Sequence, residues 1–205
     1  MTTRNYSAAR RAALTLAALS LAGSQLWAQT PASSPKVKFA TSAGDFVVEV
    51  YPDKAPKTVE NFLQYVKDKH YNGTVFHRVI DNFMVQGGGF DAAYTQKPTR
   101  APVVNEGREA LAKGGDKNVA GTLAMARTGD PHSASSQFFI NVKDNDFLNH
   151  TAPTPSGWGY TVFGKVVSGM DVVNRIKATP TGAGGPFPSD VPKTPILVNS
   201  ATLLP

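Results

Sequence analysis

Only two stretches of this chain carry a helical hydrophobic period, and turn residues cut the rest into short β-prone runs. In the first, Val59, Phe62, Leu63 and Val66 recur at i, i+3, i+4 and i+7 with polar residues between them. That spacing predicts an amphipathic helix over residues 56–69, begun by Pro56 and stopped at Asn72-Gly73. The second lies at 170–177, where Val172, Val173 and Ile176 are apolar. The β-prone runs fall at 36–43, 46–51, 74–80, 83–86, 119–126, 137–142, 160–167 and 196–203, separated by Gly, Asp, Asn and Pro. Residues 180–195 read as a Gly/Pro-rich loop. Parallel strands need crossover helices, which two helices cannot supply, so the expected fold is an antiparallel barrel or sandwich. A barrel is favoured, because closure removes exposed sheet edges.

The first 28 residues read as a targeting segment. Arg4, Arg10 and Arg11 have no acid beside them, an apolar run follows over 12–26, and Ala28 closes the A-x-A-like triplet Leu26-Trp27-Ala28. The run is too short and too Ala-rich for a comfortable membrane span. The expected organisation is a signal peptide at 1–28, a short polar tether at 29–35 and one domain at 36–205. The whole chain carries a net charge of +6, and losing those arginines halves it, which argues against a dedicated nucleic-acid binder. With no cysteine, thiolate catalysis, disulfides and Cys-based metal sites are excluded. His70, His77, His132 and His150 show no i, i+4 pairing, so no metal site is expected. No G-x-S-x-G motif is present. Gly87-Gly88-Gly89 lacks a phosphate-loop context and reads as a bend in a strand.

The strongest local signal is FHRVIDNFMVQGGGF at 76–90. Strand alternation would set Phe76, Arg78 and Ile80 on one face and His77 and Val79 on the other. A cation among large apolar side chains needs a mouth and polar partners. In SQFFINV at 136–142, Gln137 and Phe139 likewise share a face. One Arg, two Gln, several Phe and a Met around a single depression would form an apolar pocket with a few orienting donors.

With GTLAMA at 121–126, SQFFI at 136–140 and VFGKV at 162–166 following in order, the sequence resembles the cyclophilin family of peptidyl-prolyl cis-trans isomerases, particularly its bacterial exported, periplasmic branch. The resemblance spans about residues 36 to 203. It implies a closed eight-stranded antiparallel β-barrel capped by two α-helices, and accelerated rotation about X–Pro bonds in exported proteins, assisting their folding. By the same resemblance Arg78 is the catalytic arginine, with Gln86 beside it. Phe83, Met84, Phe139 and Leu148 form the proline-ring pocket, and Gln137 is a further polar group near the reacting amide. Ala126 and Arg127 lie where backbone groups bind the substrate chain. Arg127 departs from the usual Asn, a change expected to alter sequence preference more than turnover.

Phe147 stands where the eukaryotic branch has Trp, which weakens expected cyclosporin binding, and Tyr160 replaces a pocket His. The resemblance implies no cofactor, proline-containing polypeptide substrates, a monomer, and no stable membrane insertion after signal cleavage. It also implies export to the periplasm of a Gram-negative bacterium. Two alternatives remain: a proline-peptide-binding chaperone module with little turnover, and a barrel carrying a small ligand inside, as lipocalins do.

Overall fold

A computed structural model describes residues 34–205. The proposed signal peptide and most of the tether lie outside the described residues. Strands β1 (Lys36–Thr41) and β2 (Gly44–Val50) form a hairpin. Its turn takes Gly44 to φ +120°, where a side chain would be strained. Helix α1 (Pro56–Lys67) follows, then β3 (Arg78–Ile80), β4 (Met84–Gly87), α2 (Gly107–Ala112), β5 (Thr122–Met125) and β6 (Phe138–Asn141). After a short 3-10 turn at Asp146–Leu148 come β7 (Val162–Ser168), α3 (Met170–Lys177), β8 (Thr181–Gly184), β9 (Phe187–Pro192) and β10 (Val198–Leu203).

Eight strands make one antiparallel sheet in the order β10-β1-β2-β7-β5-β6-β4-β3, and β8 and β9 pair separately. The sheet is an open, strongly curled half-barrel, which corrects the expectation of a closed barrel. Its edge strands β3 and β10 share no ladder. The segments just before them touch instead, through the Val75–Leu197 bridge and the Phe76 N–H bond to the Ile196 carbonyl at 3.1 Å. The physical reason lies at Phe76 and His77: these two residues belong to no ladder and separate the bridge from β3, so pairing along 74–80 is not continuous. Two further expectations change. Among the described residues there are three α-helices rather than two, and residues 180–195 hold a β-hairpin rather than a loop.

The concave face is filled by aromatic rings. Phe39 and Phe46 stack at 5.1 Å, Phe62 lies 5.1 Å from Phe163, and Tyr71 meets Phe138 edge-on at 5.5 Å. All six are buried. An interior packed in this way leaves the ligand-carrier alternative no room in its core. Helix α1 supplies Val59, Phe62, Tyr65 and Val66 to this core, whereas Leu63 of the expected stripe is only partly buried.

The start of α1 depends on a residue far along the chain. Ala55 at its N-cap offers no side-chain acceptor. The buried Glu106 carboxylate accepts instead from the Lys57 amide at 3.2 Å, the Thr58 amide at 2.8 Å and the Thr58 hydroxyl at 2.7 Å. A carboxylate suits the positive end of a helix and satisfies donors that the helix itself leaves open. Glu106→Ala strands those buried donors, and the expected loss of stability is about 2–3 kcal/mol in urea unfolding. Unchanged stability would mean that water replaces the carboxylate there.

Candidate active site

The strands β4, β6 and β5 bury apolar residues on both of their faces, which divides those residues into two clusters, and β3 adds Val79 to one of them. Val79, Val85, Phe138, Ile140, Leu123 and Met125 join the main core. Their alternating neighbours Met84, Phe139 and Ala124 form a smaller cluster with Leu148 and Val162 on the convex side, flanked by Ile80, Phe83, Ala126 and Tyr160.

Register then assembles the polar groups. Arg78 pairs with Gln86, Gln86 with Phe139, and Phe139 with Ala124, one row across four strands. Directly opposed residues project from the same side of a sheet. The guanidinium, the amide and the phenyl ring therefore stand side by side on the convex face. The adjoining row brings Ile80 opposite Met84. Phe76 breaks the expected alternation: its ring lies in the main core, not beside Arg78. The cause is again the break at Phe76 and His77, which lie in no strand.

A cavity of about 90 Å³ opens here, lined by Arg78, Phe83, Met84, Gln86, Ala126, Arg127, Phe139, Leu148 and Tyr160. It adjoins a wider trough of about 490 Å³ that shares Arg78, Gln86, Ala126 and Arg127 and adds Gln137, His77 and Phe187. Phe147 is the exception among the expected pocket residues. It is 73% exposed, does not line the cavity, and stacks on Phe83 at 5.8 Å.

Each wall has its own support. The Gln86 amide NH₂ donates to Gln137 Oε1 at 2.9 Å. Gly89 makes room for that pair, because a Cβ there would lie 2.5 Å from Gln137 Cγ. The Ala126 N–H is committed to the Gln137 carbonyl at 3.0 Å. Leu148 is held by buried amides: Asn118 Nδ2 donates to its carbonyl at 3.2 Å, Asn141 Nδ2 to Asn118 Oδ1 at 3.2 Å, and Asn145 Nδ2 to Asn141 Oδ1 at 2.8 Å. Sequence reasoning missed this network, since isolated Asn residues read as turn formers until the fold brings them together.

It also missed Asp190, at the β9 hairpin, whose Oδ2 lies 3.9 Å from Arg78 Nε. Both side chains touch solvent, so the pairing is a weak one. His77, beside Arg78, is buried between Phe90 at 4.7 Å and Phe187 at 5.4 Å. No group of His, Cys, Asp and Glu that could hold a metal occurs among the described residues. What remains is a greasy slot with a guanidinium on its wall and amides beside it, able to grip an apolar ring and donate to it.

Residues 36–203 match the family described as "Cyclophilin type peptidyl-prolyl cis-trans isomerase/CLD". The chain belongs to the cyclophilins. It is 56% identical over 168 residues to peptidyl-prolyl cis-trans isomerase cyp18 of Streptomyces antibioticus, covering 82% of this chain and 98% of that one. It is 53% identical over 167 residues to peptidyl-prolyl cis-trans isomerase B of Escherichia coli strain K12, with the same two coverages. A crystal structure of a cyclophilin-type isomerase from Cryptosporidium parvum aligns with a TM-score of 0.63 at 24% identity, over 84% of this chain and 98% of that one. At that identity the likeness carries the fold alone. A structure of the same protein in the presence of the dipeptide Ala-Pro aligns with a TM-score of 0.62. This cyclophilin is thus a peptidyl-prolyl cis-trans isomerase, as the resemblance implied.

The charge state of the trough has a consequence for stability. Burial, helped by the neighbouring Arg78 charge, lowers the His77 pKa from 6.5 to about 4. His77 is therefore neutral when folded but protonated when unfolded below pH 6.5. Between those values the unfolded chain binds more protons, so stability falls on acidification, by about 3 kcal/mol for this residue. His70, lowered in the same direction by its own burial, adds to the slope. Urea midpoints measured across this range are expected to drop toward low pH, and more shallowly in His77→Phe. An equal slope in both proteins would assign the effect elsewhere.

Proposed function

We propose that this cyclophilin is exported and accelerates X–Pro rotation in exported polypeptides by donation from Arg78 to the proline nitrogen of a twisted amide. One observation carries the reading: Arg78 and Gln86 line the same cavity as Phe83, Met84, Phe139 and Leu148. Conjugation opposes twisting of an amide by about 18–20 kcal/mol. The two X–Pro isomers are close in energy, so the reaction asks only for a faster passage between them. No bond is made or broken, and no nucleophile or general base is required.

In the twisted state the nitrogen becomes pyramidal and recovers its lone pair. A guanidinium placed to donate there binds the twisted form more strongly than either planar isomer, which is the requirement for catalysis. Arginine also keeps its proton across physiological pH. The apolar walls fix the ring while the rest of the chain rotates. Gln86, whose NH₂ is committed to Gln137, stands opposite Arg78 on the ladder with its carbonyl oxygen left open. The Ala126 and Arg127 backbone runs beside the cavity and is assigned to substrate binding, with Tyr160 completing the cavity wall and Gln137 lining the adjoining trough.

Export rests on the basic start, apolar run and Ala28 of the first 28 residues, which precede the family match at 36. The protein acts as a monomer without cofactor, and its cyclosporin affinity is low because Phe147 replaces the larger indole. The competing reading, a proline-peptide-binding chaperone module with little turnover, keeps the same pocket but makes Arg78 dispensable.

A protease-coupled isomerisation assay on an Ala-Pro peptide separates the two. Arg78→Ala is expected to lower kcat/KM by about 100-fold or more, the scale of one lost transition-state donor, with the circular dichroism spectrum unchanged. Near-wild-type turnover in that variant would remove Arg78 from the mechanism. Binding of the peptide by the wild type without acceleration would leave only the module.

A further inference from the structure

Arg127 is the residue of the site whose charge the fold leaves uncompensated. Its guanidinium is locked by neutral acceptors alone: Nε donates to the Gly159 carbonyl at 2.9 Å, Nη1 to the Thr128 carbonyl at 2.9 Å and Nη2 to the Pro155 carbonyl at 3.1 Å. The group lies over the Tyr160 ring, 4.7 Å from its centroid, and Tyr160 in turn meets Phe139 edge-on at 5.5 Å. Carbonyls and a ring face hold a cation without neutralising it.

Arg127 takes part in no ion pair among the described residues. The carboxylate of Asp130, close in sequence, accepts from the His132 amide instead. Arg127 lines both the cavity and the trough, and the residues lining these two include no Asp or Glu. Arg78, the other cation there, already has Asp190 at 3.9 Å.

We propose that Arg127 is a specificity determinant, favouring prolyl peptides that carry an acidic side chain next to the X–Pro bond and disfavouring those with a basic one. The proposal rests on the reading of this cavity as the X–Pro site. A peptide lying in the trough passes along a cation fixed before binding, so an acidic side chain gains attraction without ordering the arginine. One N–H on each terminal nitrogen remains for it, since only one is used on each. A partly solvated pair of this kind is worth about fivefold, and repulsion of a basic side chain adds a similar factor.

The test uses peptides Ala-X-Pro-Phe with X as Glu, Gln or Lys in the coupled assay, at low salt and at about 0.5 M salt. Wild type is expected to rank Glu above Gln above Lys, with a Glu-to-Lys ratio in kcat/KM of about tenfold or more at low salt that shrinks at high salt. In Arg127→Asn the ratio is expected to approach one. Because the ratio is taken within each protein, general loss of activity does not affect it. If Arg127→Asn does not fold, the salt dependence of the wild-type ratio decides. A wild-type ratio near one, a ratio insensitive to salt, or one that survives Arg127→Asn overturns the proposal. Turnover of the Gln peptide by wild type but not by Arg78→Ala shows that the underlying reading stands whichever way the ratio falls.

Discussion

The arrangement of this protein follows from one constraint: the strands β4 to β6 must bury apolar side chains on both faces, yet only the concave face meets a full layer of partners. On that side α1 and the aromatic rings close the core. On the other, Met84, Phe139, Ala124, Leu148 and Val162 gather under loops, and loops cover less completely than a helix or a second sheet. A residual slot is the result. Because the slot lies on a ladder rather than on loops alone, the side chains at its edge are set by register, with Arg78, Gln86 and Phe139 at fixed separations. Precision of that kind is what binding a twisted amide better than a planar one demands.

Electrostatics around the slot follow the same geometry. The His77 ring, wedged between Phe90 and Phe187, stays neutral and so does not compete with Arg78 for negative groups. Asp190 stands beside the Nε side of the Arg78 guanidinium. Arg127, pinned by carbonyls across the mouth, gives the trough a second fixed positive charge. The trough and slot are therefore apolar at the floor and cationic at the rim.

Much of this could be read before any coordinates. The period of Val59, Phe62 and Val66 identified α1, and the apolar Val172, Val173 and Ile176 marked α3. The motif residues Arg78, Phe83, Met84, Gln86 and Phe139 were named together and do converge. What escaped has physical causes. The α2 segment spans under two turns, too short to display a period, and Glu106 at its start acts on a helix 48 residues earlier in the chain. The β8–β9 hairpin is rich in Gly and Pro, so its strands carry no clear alternation. Alternation sets Phe76 beside Arg78 only in an unbroken strand, and β3 begins at Arg78, after two residues that join no ladder. Asn118, Asn141 and Asn145 form a network only once the loop before β5 meets the end of β6, 23 residues on.

The most direct test of the account is a nuclear magnetic resonance titration with an Ala-Pro peptide, following the Met84 methyl and the Arg78 Nε–H while recording exchange between the peptide's cis and trans proline signals. The account predicts saturable shifts at both groups at concentrations where cis–trans exchange becomes visible. Exchange accompanied by shifts elsewhere on the surface, with Met84 and Arg78 unmoved, would contradict it.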